Sequence, residues 1–234
     1  MEDNTSLQTY KNYTNGIFDR DKAILNAQKA KCAIITDKTI QNVPTPNDYK
    51  DTFAWINSII ASACRITLNE SRSRVDDYTY GEVGNAITII DANIYNRVIH
   101  GPVYGKYKSV RLVNGEMVQK LRSQYANVQG AIICVHNHPS NGPCSFPDIC
   151  NMLEYAEISA IAIVGNTSWM YFLSKMTNTD YRYYHALADS MKDELSKLML
   201  QGISKHDAQV RLALQLLNNS TTYNLYFRAY RRRG

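Results

Sequence analysis

The stretch HNHPSNGPCSFPD, residues 136–148, places two histidines one residue apart and an aspartate three residues after a serine. It overlaps a nearly continuous apolar run, residues 130–136, which is typical of a buried strand. Because alternate residues of a strand point to the same side, we expect His136 and His138 to project together, with Cα atoms roughly 6.7 Å apart. Two imidazole nitrogens at that separation can converge on one metal ion.

Ser145 and Asp148 predict how the following helix, residues 146–157, begins. Ser-x-x-Asp is close to a capping box, with Asp in place of the usual Glu or Gln, so Ser145 is the expected N-cap and Asp148 lies in the first turn. A carboxylate there is fixed on a rigid element and can face the strand end. Two neutral imidazoles and one carboxylate are a donor set of catalytic zinc sites, which keep a fourth position for water. Zinc lowers the pKa of such a water towards ~7.

The pattern His-x-His-Pro, spacer, Ser-x-x-Asp resembles the signature of the JAB/MPN/Mov34 metalloenzymes, and GAIICVHNHPS is most similar to the RadC branch, which also has Asn between the histidines. The resemblance covers about residues 52–176. It implies that His136, His138 and Asp148 bind zinc and that Ser145 helps to hold the oxyanion when a substrate carbonyl is attacked. The spacer SNGPC has five residues where the family usually has six, a difference that bears on Ser145 more than on Asp148.

The resemblance also implies an upstream glutamate that takes a proton from the zinc-bound water. Such a general base must reach the water and titrate near neutral pH. Glu82 is the preferred candidate, because it stands at the entrance to a predicted strand, EVGNAITII, as the family's glutamate does. Glu116, in the first turn of a predicted helix, and Glu70, in a charged stretch, are the alternatives.

Three functions remain open from these residues. The preferred one is a zinc hydrolase, a metallopeptidase or isopeptidase that cleaves a peptide or isopeptide bond of a protein substrate, such as a ubiquitin-like protein. The second is a RadC-like protein of DNA repair or mobile elements that contacts nucleic acid. The third is a non-catalytic scaffold, since MPN domains without metal ligands serve as interaction modules. A scaffold has no need for stoichiometric zinc, so metal content separates it from the hydrolase.

The surrounding pattern predicts an α/β fold, of the α+β three-layer kind found in cytidine deaminases, with a mixed central sheet flanked by helices. A helix is expected from Thr52, its N-cap, followed by strands at 85–91, 94–100 and 108–113 and a helix at 115–126. After the 146–157 helix, strands are expected at 159–165 and 168–176. The last sixty residues read as two helices, with Ser204 capping the second.

These elements divide the 234 residues into an N-terminal extension (1–50, with a short helix near 19–31), a metalloprotease-like domain (51–176) and a basic helical segment (177–234). Residues 174–234 carry ten Lys and Arg against five Asp and Glu, which equals the whole net charge of +5. This excess predicts either a solvated basic tail or a segment that contacts nucleic acid or an acidic partner. Five cysteines without a C-x-x-C pair, a polar N-terminus and no long apolar run predict a cytoplasmic protein with free thiols and no membrane contact.

Overall fold

The structure is a computed structural model, and it describes residues 35–48, 54–73, 75–76, 79–80, 82–89, 98–105, 115–124, 128–176 and 179–231. The predicted helix near 19–31, the predicted N-cap Thr52 and the predicted strand 108–113 lie outside these ranges. None of the helices in the described ranges is both long enough and apolar enough to cross a membrane.

Helices and strands alternate through the middle of the chain, as the sequence pattern predicts. The helices are α1 (Asp37–Gln41), α2 (Ala54–Ser73), α3 (Gly115–Gln124), α4 (Phe146–Glu154), α5 (Tyr181–Leu200) and α6 (Lys205–Asn218). The strands are β1 (Val75–Asp76), β2 (Thr79–Tyr80), β3 (Val83–Thr88), β4 (Val98–Tyr104), β5 (Ile132–His138), β6 (Ile158–Gly165), β7 (Met170–Lys175) and β8 (Leu225–Tyr230). Strand β5, which carries the two histidines, begins and ends two residues later than the predicted run 130–136, so it includes His138.

Six of these strands form one mixed sheet in the order β4-β3-β5-β6-β7-β8, while β1 and β2 form a separate hairpin. Strands β5 and β6 are parallel, and the other neighbours in the large sheet are antiparallel. The parallel pair needs a crossover, which α4 supplies between them. This connection carries the chain from the end of β5 directly into the helix that begins with Ser145 and Asp148.

The sheet is covered on both faces, which makes three layers and confirms the expected fold class. We call the side to which Ile132 and Cys134 point the front face; its core includes residues of α3, α4, α5 and α6. The side to which Ile133 and Val135 point is the back face, covered mainly by α2. Strand β5 is fully buried along its length, because it lies inside the sheet with helices on either side.

The parts of the chain outside residues 51–176 contribute to the same core. Ile35 and Val43, which belong to the predicted N-terminal extension, are buried among the back-face residues. The two predicted C-terminal helices are confirmed as α5 and α6, with Asp180 and Ser204 as their N-caps. The expectation of helices alone was wrong, however, because the chain turns after α6 and adds β8 antiparallel to β7.

Candidate metal site

Strand β5 delivers two imidazole rings to the front face, as its two-residue period requires. His136 and His138 are 4% and 7% exposed, and their ring centroids lie 4.9 Å apart. The two Nε2 atoms are 3.1 Å from each other. Both rings therefore direct the same nitrogen towards one point at the end of the strand.

Helix α4 delivers the carboxylate to that point through the predicted capping box. The backbone N–H of Asp148 donates to Ser145 Oγ at 3.4 Å, and the backbone N–H of Ser145 donates to Asp148 Oδ2 at 2.7 Å. Asp148 Oδ1 lies 3.3 Å from His136 Nε2, and Asp148 Oδ2 lies 3.4 Å from His138 Nε2. The ligand atoms of the three side chains all lie within 4.8 Å of one another.

The loop between β5 and α4 is held by Asn141, which the sequence analysis did not single out. Asn141 adopts a left-handed conformation (φ 58°), and its N–H donates to the carbonyl of His138 at 2.9 Å. Its Oδ1 accepts bonds from the N–H and hydroxyl of Thr167, and its carbonyl accepts the hydroxyl of Tyr171. Gly165 lies against this loop so closely that a Cβ there would stand 2.5 Å from Asn141 Oδ1. The spacer of five residues is thus anchored to β6 and β7 and keeps Ser145 at the helix start.

The charges of the site are coupled. Burial alone lowers the pKa of His138, but the neighbouring Asp148 carboxylate, the charge of Glu82 and the Gly142 carbonyl raise it above its ordinary value. Burial would raise the pKa of Asp148, but His136 and His138 hold it well below its usual range. These directions favour a protonated His138 beside an ionised Asp148, and a metal ion bound there would displace the proton of His138.

The donor set fits a divalent metal ion. His138 Nδ1 lies 3.1 Å from the Gly142 carbonyl, so a proton on Nδ1 leaves the Nε2 lone pair directed at the site. His136 Nδ1 is buried and has no hydrogen-bond partner among the described residues. Asp148 keeps 19% of its side chain exposed, whereas both histidines are buried. His136, His138 and Asp148 are thus a group that could hold a metal ion, as the sequence predicts.

Glu82 is the candidate base that the fold brings to this site. The antiparallel pairing of β3 with β5 sets Gly84 opposite His136, so Glu82, two residues earlier, stands opposite His138 and on the same face. Its side chain is buried, at 8% exposure, and its charge contributes to the raised pKa of His138. Glu82 therefore lies close to the ligands, with its backbone at the entrance of β3.

The two alternative bases are placed differently. Glu70 lies on α2, at the back of the sheet, where its carboxylate accepts the hydroxyl of Tyr104 at 3.0 Å. Glu116 lies in the first turn of α3, as predicted, but its side chain is outside what the structure describes. Of the two described candidates, only Glu82 lies near enough for its charge to act on His138.

Ser145 lies at the site, but its hydroxyl is already engaged. Ser145 Oγ donates to Asp148 Oδ2 at 2.5 Å while it also caps α4. The same hydroxyl could donate to a substrate oxygen only by turning away from Asp148. The main role of Ser145 in this arrangement is therefore to hold the carboxylate of Asp148.

The nearby cysteines are buried and free. Cys134, Cys144 and Cys150 belong to the front-face core, and none of them is part of the group formed by His136, His138 and Asp148. Burial, assisted by the Asp148 charge, raises the pKa of Cys134 to about 12, so its thiol stays protonated. This agrees with Cys134 acting as a small apolar core residue.

Comparison of the chain with protein-family models, with curated proteins and with solved structures finds no match.

Proposed function

We propose that this protein is a zinc-dependent hydrolase that cleaves a peptide or isopeptide bond. The observation that carries the proposal is the convergence of two Nε2 atoms and one carboxylate on a single point, with the charge of the buried Glu82 acting on His138. The resemblance of the His-x-His-Pro and Ser-x-x-Asp pattern to the JAB/MPN/Mov34 metalloenzymes supports the same reading. Two nitrogen donors and one oxygen donor with access to solvent favour zinc.

A bound zinc ion would supply Lewis acidity, polarising the substrate carbonyl and making water acidic enough to ionise near neutral pH. His136, His138 and Asp148 would hold the ion, and the Gly142 carbonyl would orient the ring of His138. Glu82 would accept the proton of the attacking water and return it to the leaving amine. Ser145 would keep Asp148 in place and, once its hydroxyl turns, donate to the developing oxyanion.

Replacing the proposed base tests this function directly. The full-length protein, loaded with zinc, is assayed on a fluorogenic peptide library and on a lysine-linked ubiquitin dimer. We expect Glu82→Gln to reduce turnover about 10²–10⁴-fold, the usual contribution of general-base catalysis, while elemental analysis finds unchanged zinc.

Two matched variants complete this experiment. Glu70→Gln, on the back of the sheet, should leave turnover unchanged, and Glu116→Gln tests the other alternative base. Full turnover by Glu82→Gln would remove Glu82 from this role. Zinc-loaded protein that hydrolyses none of these substrates would count against the proposal, and an absence of stoichiometric zinc would favour the scaffold.

Contact with nucleic acid stays a second prediction, based on the charge of the C-terminal segment. Several of its described cations lie beside carboxylates: Arg182 pairs with Asp180, Lys192 with Glu154, and Lys197 with Glu194. These pairs reduce the charge available to phosphates. No described feature favours nucleic acid over the hydrolase.

A further inference from the structure

Asn137, the residue between the two histidines, points to the opposite face of the sheet from them. It is fully buried, and its Nδ2 donates to the hydroxyl of Ser71 on α2 at 3.1 Å. Its Oδ1 accepts the backbone N–H of Val83 at 2.7 Å. One side chain thus joins the metal-ligand strand to the back helix and to the first residue of β3.

The bond to Val83 lies where the ordinary pairing of β3 and β5 stops. The paired positions run from Thr88 opposite Ile132 to Gly84 opposite His136. Continuing this register places Val83 opposite Asn137, and there the Asn137 side-chain oxygen accepts the bond. The side chain therefore extends the ladder by one step towards Glu82.

Glu82, immediately before Val83, is held from the other side as well. Its carbonyl accepts the N–H of Gly105, which follows β4, at 2.8 Å. The peptide that carries the proposed base is thus fastened between β4 and the Asn137 side chain. Asn137 also lies between the two histidines in sequence. The tripeptide of residues 136–138 therefore supplies both histidines and the hydrogen bond that holds the backbone next to Glu82.

We propose that Asn137 is a positioning residue that fixes Glu82 relative to the metal ligands through the Val83 N–H. This inference rests on the proposed function, because it assigns Asn137 a purpose only if Glu82 acts at the metal. A misplacement of about 1 Å at a reacting group can cost about 100-fold in rate, so a fastened backbone matters for a base. Asn137 itself faces away from the site and would touch neither metal nor substrate.

A second buried pair on the same face provides a matched control. Asn85 of β3 donates from Nδ2 to the hydroxyl of Thr67 on α2 at 2.7 Å, and both residues are buried. This pair also joins the sheet to α2, but Asn85 Oδ1 has no hydrogen-bond partner among the described residues. Loss of the Asn85–Thr67 hydrogen bond therefore weakens the attachment of α2 to the sheet but leaves the hydrogen bond between the Val83 N–H and Asn137 intact.

The test uses full-length protein loaded with Co²⁺, whose visible absorption reports the surroundings of the metal. The pH at which this absorption changes is measured for the native protein, Glu82→Gln, Asn137→Leu, Val83→Pro and the control Thr67→Val. Val83→Pro deletes the donor of the bond from the other side, at the first residue of the strand, where proline is tolerated. Cobalt content and urea unfolding are measured on every variant.

We expect Asn137→Leu and Val83→Pro each to bind one cobalt ion and to move the midpoint of the absorption change from the native value towards that of Glu82→Gln. Thr67→Val should keep the native midpoint, although it loses stability. On any substrate identified, both variants should lose kcat with little change in KM.

The outcomes separate the two proposals. If Glu82→Gln moves the midpoint while Asn137→Leu and Val83→Pro keep the native one, the positioning role is overturned and the hydrolase proposal stands. If Glu82→Gln itself leaves the midpoint unchanged, the role of Glu82 at the metal fails, and that of Asn137 fails with it. If Val83→Pro does not fold, Asn137→Leu decides the question; if Asn137→Leu does not fold, a native midpoint in Val83→Pro still overturns the positioning role.

Discussion

On the front face of β5, buried ionisable groups meet one another, whereas on the back face buried neutral groups meet neutral partners. His136 and His138 face Asp148 with three lone-pair-bearing atoms directed at one point. Asn137, between them in sequence, has its donor and its acceptor satisfied by Ser71 and Val83. The back-face side chain of β5 is therefore satisfied by partners within the described chain, while the front-face group has an arrangement that a cation could complete.

The largest expected effect is a loss of zinc affinity when a histidine of the front face is removed. His138→Ala should lower zinc affinity by more than about 100-fold, since loss of a ligand costs more than loss of a residue that supports one. Binding that favours the folded state also stabilises it, so added zinc should raise the Tm of the native protein and leave that of the variant unchanged. His206→Ala, an exposed histidine of α6, is the control. Equal zinc content in His138→Ala and His206→Ala would contradict the proposed metal site.

Truncating an apolar side chain in the back-face core should instead lower the stability of the protein and leave its zinc content unchanged. Ile60, fully buried on α2, packs in the back-face core. Ile60→Ala should lower the free energy of unfolding by about 2–5 kcal/mol through lost apolar contact and a cavity. Urea denaturation measures this change, and elemental analysis should find native zinc content. Zinc loss in this variant would mean that the two faces are not independent.

Two serine caps sharpen the comparison at smaller magnitude. Ser145 caps α4 at the site, and Ser204 caps α6 far along the chain by accepting the N–H of Asp207 at 3.1 Å. Each change to alanine should cost about 1 kcal/mol of stability. Only Ser145→Ala should also weaken zinc binding, because Ser145 holds the Asp148 carboxylate. Equal zinc affinity in the two variants would mean that Ser145 serves only as the N-cap of α4.

The last expected effect depends on pH and concerns Lys175, a front-face residue at the end of β7 where burial lowers the pKa from 10.5 to about 8. Between these values the unfolded chain binds a proton that the folded chain has lost, so this residue makes stability rise with pH there. The difference in unfolding free energy between the native protein and Lys175→Met should therefore grow in favour of the native protein across that interval. Urea denaturation at several pH values measures it, and a difference independent of pH would contradict the lowered pKa.

The sequence predicted those features of the site that follow from short-range periodicity. The shared side of His136 and His138 follows from the two-residue period of a strand, and the place of Asp148 follows from the Ser-x-x-Asp cap. The fold class followed from the alternation of helical and strand-like segments. These features depend only on neighbours in the chain.

The features that were not predicted depend on partners distant in sequence. Nothing near Asn137 indicates that its side chain meets Val83, 54 residues earlier, because that contact exists only once β3 pairs with β5. The anchoring of Asn141 by Thr167 and Tyr171 is of the same kind. Strand β8 was missed because its six residues follow two strong helical patterns and precede an arginine run.

Strand β8 also links the two ends of the described chain. Tyr230 and Arg228 both donate to Asn47 Oδ1, so the segment before α2 meets the segment after α6 along the last strand of the sheet. A shortened protein ending after β7 would lose this closure and present the hydrogen-bonding groups of β7 as a bare template for pairing with other chains. Anyone trimming this protein for crystallisation or assay should therefore keep both flanking segments.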